Sequence, residues 1–324
     1  MRHWNTAFND PLLDISVVGA FSMAGLPSGG TLLATPRVGG TITGFNFDDK
    51  MNVADAPVGT KVPIDGSFTA VSASLTGGHR ISAAIEIDSV RLDMLRSDLT
   101  SQQQLAKLPG TFVGKPAVVY TNGNRIVPVG TDTGVTVHAF DGSWGWLASK
   151  ELPALKPTIG MATTQMGAKA MVAWSTASDC HVAMLTAFDA SVGSTMAMPC
   201  LEPRLASSIA HDDAVLVFET AEDVRFQQIA HGEMDPPTHF IRAGASSPRV
   251  LFDGQRYWIS YIDVRGDVVV GFLDETGHVV SMGLPYTAPQ DGAYELALVN
   301  GSPWVFAAVN TGYTAQRLCV HPSW

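Results

Sequence analysis

The stretch Ser247 to Ser281, SPRVLFDGQRYWISYIDVRGDVVVGFLDETGHVVS, decides the fold. Pro248 has no backbone N–H to give to a β-ladder, so it belongs at a strand start, with Arg249 to Phe252 extended behind it. Asp253-Gly254 is a tight hairpin signal, because its central residues must take positive φ. Tyr257, Trp258, Ile259 and Tyr261 are β-favouring and form a second strand. Asp263 to Asp267, with Gly266 inside it, is a second turn. Val268 to Leu273 is a nearly continuous apolar run, as in a strand covered on both faces. Asp274-Glu275-Thr276-Gly277 turns the chain again into a fourth short strand, His278 to Met282. Four strands joined by three tight turns make an antiparallel meander, the unit of a propeller blade.

The same unit recurs. An aromatic or apolar residue before an acidic one marks the third turn at Asp48, Asp141, Asp189 and Asp274, and His231 takes that place in a further copy. Asp98 and His321 mark two more. The repeat length is about 45 residues, and a period in that range indicates a propeller or a solenoid. Pro116, Pro157, Pro203 and Pro248 open successive units at a similar spacing. The expected blades are 10–60, 66–109, 112–153, 155–199, 201–246, 248–288 and 292–324. The last is one strand short, and Met1 to Phe8 is available to close it, which removes the exposed edges of an open array. The expectation is an all-β, single-domain, seven-bladed propeller of four-stranded antiparallel blades. In it Phe47, Phe140, Phe188 and Phe272 are buried at equivalent positions before the third turn. Ser97 to Leu108 departs from the pattern. Its helix formers, with Thr100 and Gln103 as a capping box, predict a short inserted helix.

Composition narrows the class. The chain is 46% apolar and 15% charged, so a large core is available, and 31 Gly with 19 Pro suit many tight turns. A net charge of −10 without a basic block argues against nucleic acid or an anionic membrane as partner. No apolar run reaches the length of a membrane helix, and the apolar stretch near the start, Leu12 to Leu26, is broken by Asp14 with Asp10 just before it, unlike the apolar region of a signal peptide. The three cysteines, Cys180, Cys200 and Cys319, are odd in number and at no motif spacing. They are expected to be free thiols in a reducing, cytoplasmic setting.

With units three to six in hand, the chain resembles the divergent P-x-V-x-x-D-G-x-x-Y propellers of bacterial repeat proteins. Pro248, Val250, Asp253, Gly254 and Tyr257 carry that pattern. The resemblance implies a fold and no activity. The WD dipeptide, an in-register kelch double glycine and the sialidase S-x-D-x-G-x-x-W box are all missing from the sequence.

A closed ring of blades gathers particular residues at one face. Connectors between blades and loops between second and third strands share that face. Lys115, Lys156, Arg204 and Arg249 each flank a blade-opening proline there, with Glu202 as the opposing charge. Arg forks and Lys ammonium groups suit carboxylate, phosphate or sulfate ligands, and equally suit pairing with neighbouring acids. The second-to-third-strand loops are acidic, with Asp132, Asp179, Glu219, Glu222, Asp223, Asp263 and Asp267. Asp is a turn former in its own right, and no EF-hand spacing appears, so neither metal nor cofactor is expected. Cys180-His181 has no third partner for nucleophilic or zinc chemistry. Ser143-Trp144-Gly145-Trp146 lies in a turn where an aromatic can meet a sugar.

The reading these features support is a non-catalytic recognition scaffold for a small anionic ligand, a glycan or a protein. The alternative is a hydrolase or lyase at the channel mouth. A base or nucleophile with a defined neighbour separates the two, and the sequence offers no such constellation.

Overall fold

The computed structural model describes residues 4–9, 18–26, 29–36, 42–48, 60–61, 70–76, 79–96, 99, 101–110, 112, 116–153, 157–208, 212–274, 276–286, 289, 293–309 and 312–318. Its strands pair into four-stranded antiparallel sheets. Blade 1 holds β2 (Val18–Leu26), β3 (Gly29–Pro36), β4 (Thr43–Asp48) and β5 (Thr60–Lys61). Blade 2 holds β6 (Ala70–Thr76), β7 (His79–Ile85), β8 (Ser89–Leu95) and β9 (Ser101–Pro109). Blade 3 holds β10 (Val119–Thr121), β11 (Asn124–Thr131), β12 (Gly134–Phe140) and β13 (Trp146–Pro153). Blade 4 holds β14 (Gly160–Met166), β15 (Lys169–Ser175), β16 (Cys180–Leu185) and β17 (Ala190–Met196). Blade 5 holds β18 (Leu201–Ser208), β19 (Asp213–Glu219), β20 (Asp223–Ala230) and β21 (Glu233–Ala243). Blade 6 holds β22 (Ser246–Phe252), β23 (Tyr257–Ile262), β24 (Val268–Leu273) and β25 (Val279–Tyr286). Blade 7 holds β26 (Tyr294–Val299), β27 (Ser302–Val309) and β28 (Gly312–Arg317), with β1 (Trp4–Asn9) antiparallel on its edge.

The first strands of these sheets adjoin one another in order, and β26 lies beside β2, which closes the ring. The architecture is a β-propeller with four-stranded antiparallel blades. Closure turns the inner edge of each blade towards the channel, where it is short and protected.

The core sits between blades. One cluster joins Leu33 and Val71 across blades 1 and 2, and another joins Ile81 and Val127 across blades 2 and 3. Val135 packs with Trp174, Ala173 with Leu216, Val217 with Ile259, and Trp258 with Val305, in successive pairs of blades. Burial of this apolar area, at about 25 cal/mol per Å², is the main attraction between blades. Polar ties set their register. Tyr257 donates to Asp213 Oδ1 at 2.8 Å and accepts the Ser208 N–H at 2.9 Å, linking blade 6 to blade 5. Tyr294 donates to the Ser247 carbonyl at 2.6 Å, linking blade 7 to blade 6.

Three expectations are corrected. Residues 101–109 are the outer strand β9, not a helix. Pairing with β8 places Leu108 opposite Val90 and Ala106 opposite Leu92, so tertiary pairing overrides helix propensity. Ser97, Asp98 and Thr100, at the start of the proposed helix, lie outside the described residues. Phe188 is 75% exposed, whereas Phe140 and Phe272 are buried. Thr186 and Asp189 close a four-residue turn that contains Phe188, so the strand has already ended at Leu185. The side chain of Phe47 lies outside the described residues. Finally, Cys180 and Cys200 are joined in a disulfide and are not free thiols. Their separation of 20 residues hides a close approach, because Cys180 begins β16 and Cys200 ends the connector that enters β18.

Candidate functional site

Two equivalent steps shape the starts of β18 and β22. In Glu202-Pro203-Arg204 and Ser247-Pro248-Arg249, the residue before proline has left-handed φ, 43° at Glu202 and 51° at Ser247. The ladder breaks register at both places, between Leu201 and Arg204 and between Ser246 and Arg249. Each step is therefore a bulge that re-aims the following side chain. Each arginine then folds back, with Nη1 donating to the carbonyl of its own proline, at 2.9 Å for Arg204 and 2.8 Å for Arg249. The Cys180–Cys200 bond and the Cys200 N–H donated to Ser175 Oγ at 3.0 Å anchor the connector just ahead of the first step.

These steps bring Arg204, Arg249 and Glu202 together. Glu202 Oε2 lies 3.9 Å from Arg204 Nη2 and 3.7 Å from Arg249 Nη1. Both are ion-pair distances, longer than a good hydrogen bond. Beneath them Glu295 Oε1 lies 3.4 Å from Arg249 Nε, and the Tyr294 ring lies 5.0 Å below the same guanidinium. Arg249 Nε and Arg204 Nε are buried without a well-aligned hydrogen-bond acceptor among the described residues. The guanidinium-bearing side chains are 11% and 25% exposed, whereas Glu202 is 51% exposed.

The electrostatics of the two arginines differ. Burial first, and then the Arg249 charge, push Arg204 down to about 10, against the pull of Glu295, Glu202 and Tyr294. It remains a cation at neutral pH. Burial opposes the charge on Arg249 as well, but Glu295, Tyr294 and Glu202 together outweigh it and hold its pKa above the ordinary value. Burial raises Glu219 above the usual carboxylate range, its bond from the Ser247 N–H at 2.9 Å pulls the other way, and Glu202 adds to the rise.

Lys115 and Lys156 lie outside the described residues. In the sequence they precede their prolines, whereas the arginines follow theirs. In that register the lysines match Glu202 and Ser247, and Thr158 matches Arg204. Thr158 is buried and donates Oγ1 to the Gly134 carbonyl at 2.6 Å, a tie between blades 4 and 3.

The loop acids do structural work. Asp263 Oδ1 accepts the N–H groups of Arg265 and Asp267, and its other oxygen pairs with Arg265. Asp179 and Asp223 each end a turn opened by a threonine whose Oγ1 accepts that aspartate's N–H. Asp223 also binds Arg225 through both oxygens at 2.8 Å. The signal for these turns is Thr-Ala-x-Asp, present at 176–179, 186–189 and 220–223, and the acidic residues alone do not reveal it. Among the described residues no group of three or more His, Cys, Asp or Glu side chains is placed to hold a metal ion. In the aromatic turn, Trp144 is half-buried under the Arg125 guanidinium, 4.7 Å away, and Trp146 is exposed.

No family model and no curated protein matches the chain. Solved structures match along nearly all of it. It is similar to the WD40 domain of Toxoplasma gondii coronin, at 14% identity and TM-score 0.70, covering 98% of this chain and 86% of that one. It is similar to a chain of Kuenenia stuttgartiensis hydrazine synthase, at 13% identity and TM-score 0.65, covering 98% and 100%. The WD40 domain of Neurospora crassa Pan2 matches at 11% identity and TM-score 0.60, covering 99% and 97%. At such identities the likeness shows the fold, a β-propeller, and leaves the activity open. No helix is long and apolar enough to cross a membrane among the described residues.

Proposed function

We propose that this chain is a non-catalytic recognition module that uses the channel-mouth face, with Arg204, Arg249 and Glu202 at its binding site. Lys115 and Lys156 belong to the same proposed rim by sequence position. The observation that carries the reading is the doubled Pro-Arg bulge, which holds two guanidiniums against one carboxylate at the entries of neighbouring inner strands. Bulges re-aim side chains where a strand is not only structural. The propeller fold shared with the two WD40 domains suits a protein partner in general. The Cys180–Cys200 disulfide supports an oxidising compartment over the cytoplasmic setting expected from the sequence.

The test is a binding screen of peptides, small carboxylates, phosphates and sulfated or neutral glycans against three proteins. These are the parent, the double variant Arg204→Met/Arg249→Met, and a variant of the aromatic turn, Trp146→Ser. The expected hit binds the parent and the turn variant equally and loses more than about tenfold affinity in the double variant. Hits that bind the double variant as tightly as the parent overturn the reading. A hit that is chemically converted by the parent and not by the double variant replaces it with the enzyme alternative.

A further inference from the structure

We propose that Arg204 and Arg249 form a receptor for a single carboxylate, that Glu202 is its built-in occupant, and that the ligand's carboxylate displaces Glu202. This rests on the recognition reading above and adds the class of ligand.

One carboxylate oxygen, Glu202 Oε2, lies between both guanidiniums at 3.7 and 3.9 Å. It neutralises them without the 2.7–2.9 Å contacts that a charge-assisted pair reaches when its geometry is good. The two sides of this contact differ in freedom. The arginines are mostly covered and each is tethered to its own proline carbonyl. Arg249 is also held from below by Glu295 and Tyr294. Glu202 is half exposed, so its side chain can swing into water while the guanidiniums stay where they are. The receptor is thus preorganised, and its present occupant is half exposed and imperfectly placed.

Charge selects the ligand. Arg204 and Arg249 bring two positive charges, and Glu202 and Glu295 bring two negative ones. Exchanging Glu202 for a ligand carboxylate keeps that sum. A phosphate dianion adds one more negative charge beside Glu295, and Glu219 stands close by, bonded to the Ser247 N–H. The site therefore favours a monocarboxylate, whether it comes from a peptide C-terminus, an acidic side chain or a small acid.

The experiment titrates the full chain with acetate, N-acetyl-alanine, N-acetyl-glutamic α-amide, the amide counterparts of the last two, and inorganic phosphate. Binding is followed by saturation-transfer NMR and calorimetry in the parent, Glu202→Gln, Arg204→Gln and Arg204→Met/Arg249→Met. Glu202→Gln is expected to bind the carboxylates about tenfold or more tightly than the parent, because the competing occupant is gone. Both arginine variants are expected to lose that binding, and Arg204→Gln keeps the result readable if the double variant folds poorly. The preferred probe names the source of the carboxylate. Equal affinity in parent and Glu202→Gln, preference for phosphate, retention of binding in Arg204→Gln, or no binding by any probe overturns the proposal. A face-dependent hit without a carboxylate in the broader screen leaves the recognition reading standing while this one fails.

Discussion

Arg204 and Arg249 reach the same carboxylate oxygen from adjacent blades through the same local step, a left-handed residue, a proline and a bulge. Equivalent backbone gives them unequal partners. Arg249 has Glu295 at 3.4 Å, and Arg204 has only Glu202 at 3.9 Å as a carboxylate within ion-pair range among the described residues. Their removal therefore has different consequences for stability. Arg249→Met withdraws the cation from a carboxylate that is 14% exposed, and is expected to cost about 2–4 kcal/mol. Arg204→Met removes a covered charge whose nearest carboxylate is the half-exposed Glu202 at 3.9 Å, and is expected to cost under about 1 kcal/mol or to stabilise slightly. Urea unfolding of the two single variants checks the order; an equal loss in both contradicts the unequal partnering.

The cysteine count gives a second outcome. Thiol titration of the unfolded, unreduced protein is expected to find one reactive thiol, Cys319, and three after reduction. Reduction of the bond that closes this 20-residue separation is expected to lower stability by about 3 kcal/mol. Three thiols before reduction show that the bond does not form in solution.

The blade pattern was legible because it rests on short-range chemistry. Asp253-Gly254 and the Asp263 and Asp274 turns are each set within a few residues, and Asp274 Oδ1 does accept the N–H groups of Thr276 and His278. The errors came where distant partners decide. Nothing local in residues 101–109 announces that β8 will pair with them. Nothing in the spacing of Cys180 and Cys200 shows that a blade strand and a connector meet. Phe188 departs for a different reason, since its Thr-Ala-x-Asp turn is as short-range as the others and takes it out of the strand before it. The proline marks point to Arg204, Arg249 and Glu202, which lie together, but Glu295 and Tyr294 join them from the next blade without a proline mark.

A pH response follows from His138. Burial pushes its pKa down from 6.5 to about 4, and it sits beside Trp146 with Nδ1 at 3.4 Å from Ser149 Oγ. The folded value lies below the unfolded one, so the unfolded chain binds the proton more readily. The contribution of neutral His138 is therefore complete above about pH 6.5 and is lost as pH falls towards 4. The upper bound is about 3 kcal/mol, at about 1.4 kcal/mol per unit. His138→Phe is expected to flatten stability between pH 6.5 and pH 4 relative to the parent, as measured by denaturation at a series of pH values. An unchanged slope in the variant means that other groups carry the acid sensitivity.

The site is also tied to the blade behind it through a glycine. A Cβ on Gly160, at the start of β14, would lie 2.6 Å from Pro203 Cδ and 3.6 Å from the Glu202 nitrogen. The closest atom belongs to a proline ring fixed in the bulge, so it cannot swing aside as the end of a flexible side chain would. Gly160→Ala is expected to cost about 1–3 kcal/mol by overpacking. It should also shift the Glu202-Pro203-Arg204 step, widening or breaking the 3.9 Å contact between Arg204 and Glu202. Gly254→Ala is the matched control. Gly254 has φ of +98° with open space around its Cβ position, so its cost of about 1 kcal/mol comes from backbone strain alone. It lies in the turn at the far end of β22 from Arg249, and the site should be unchanged. Crystal structures and urea unfolding of both variants decide the matter. If Gly160→Ala leaves Pro203 and Arg204 in place at parental stability, the close approach of blades 4 and 5 does not position the site.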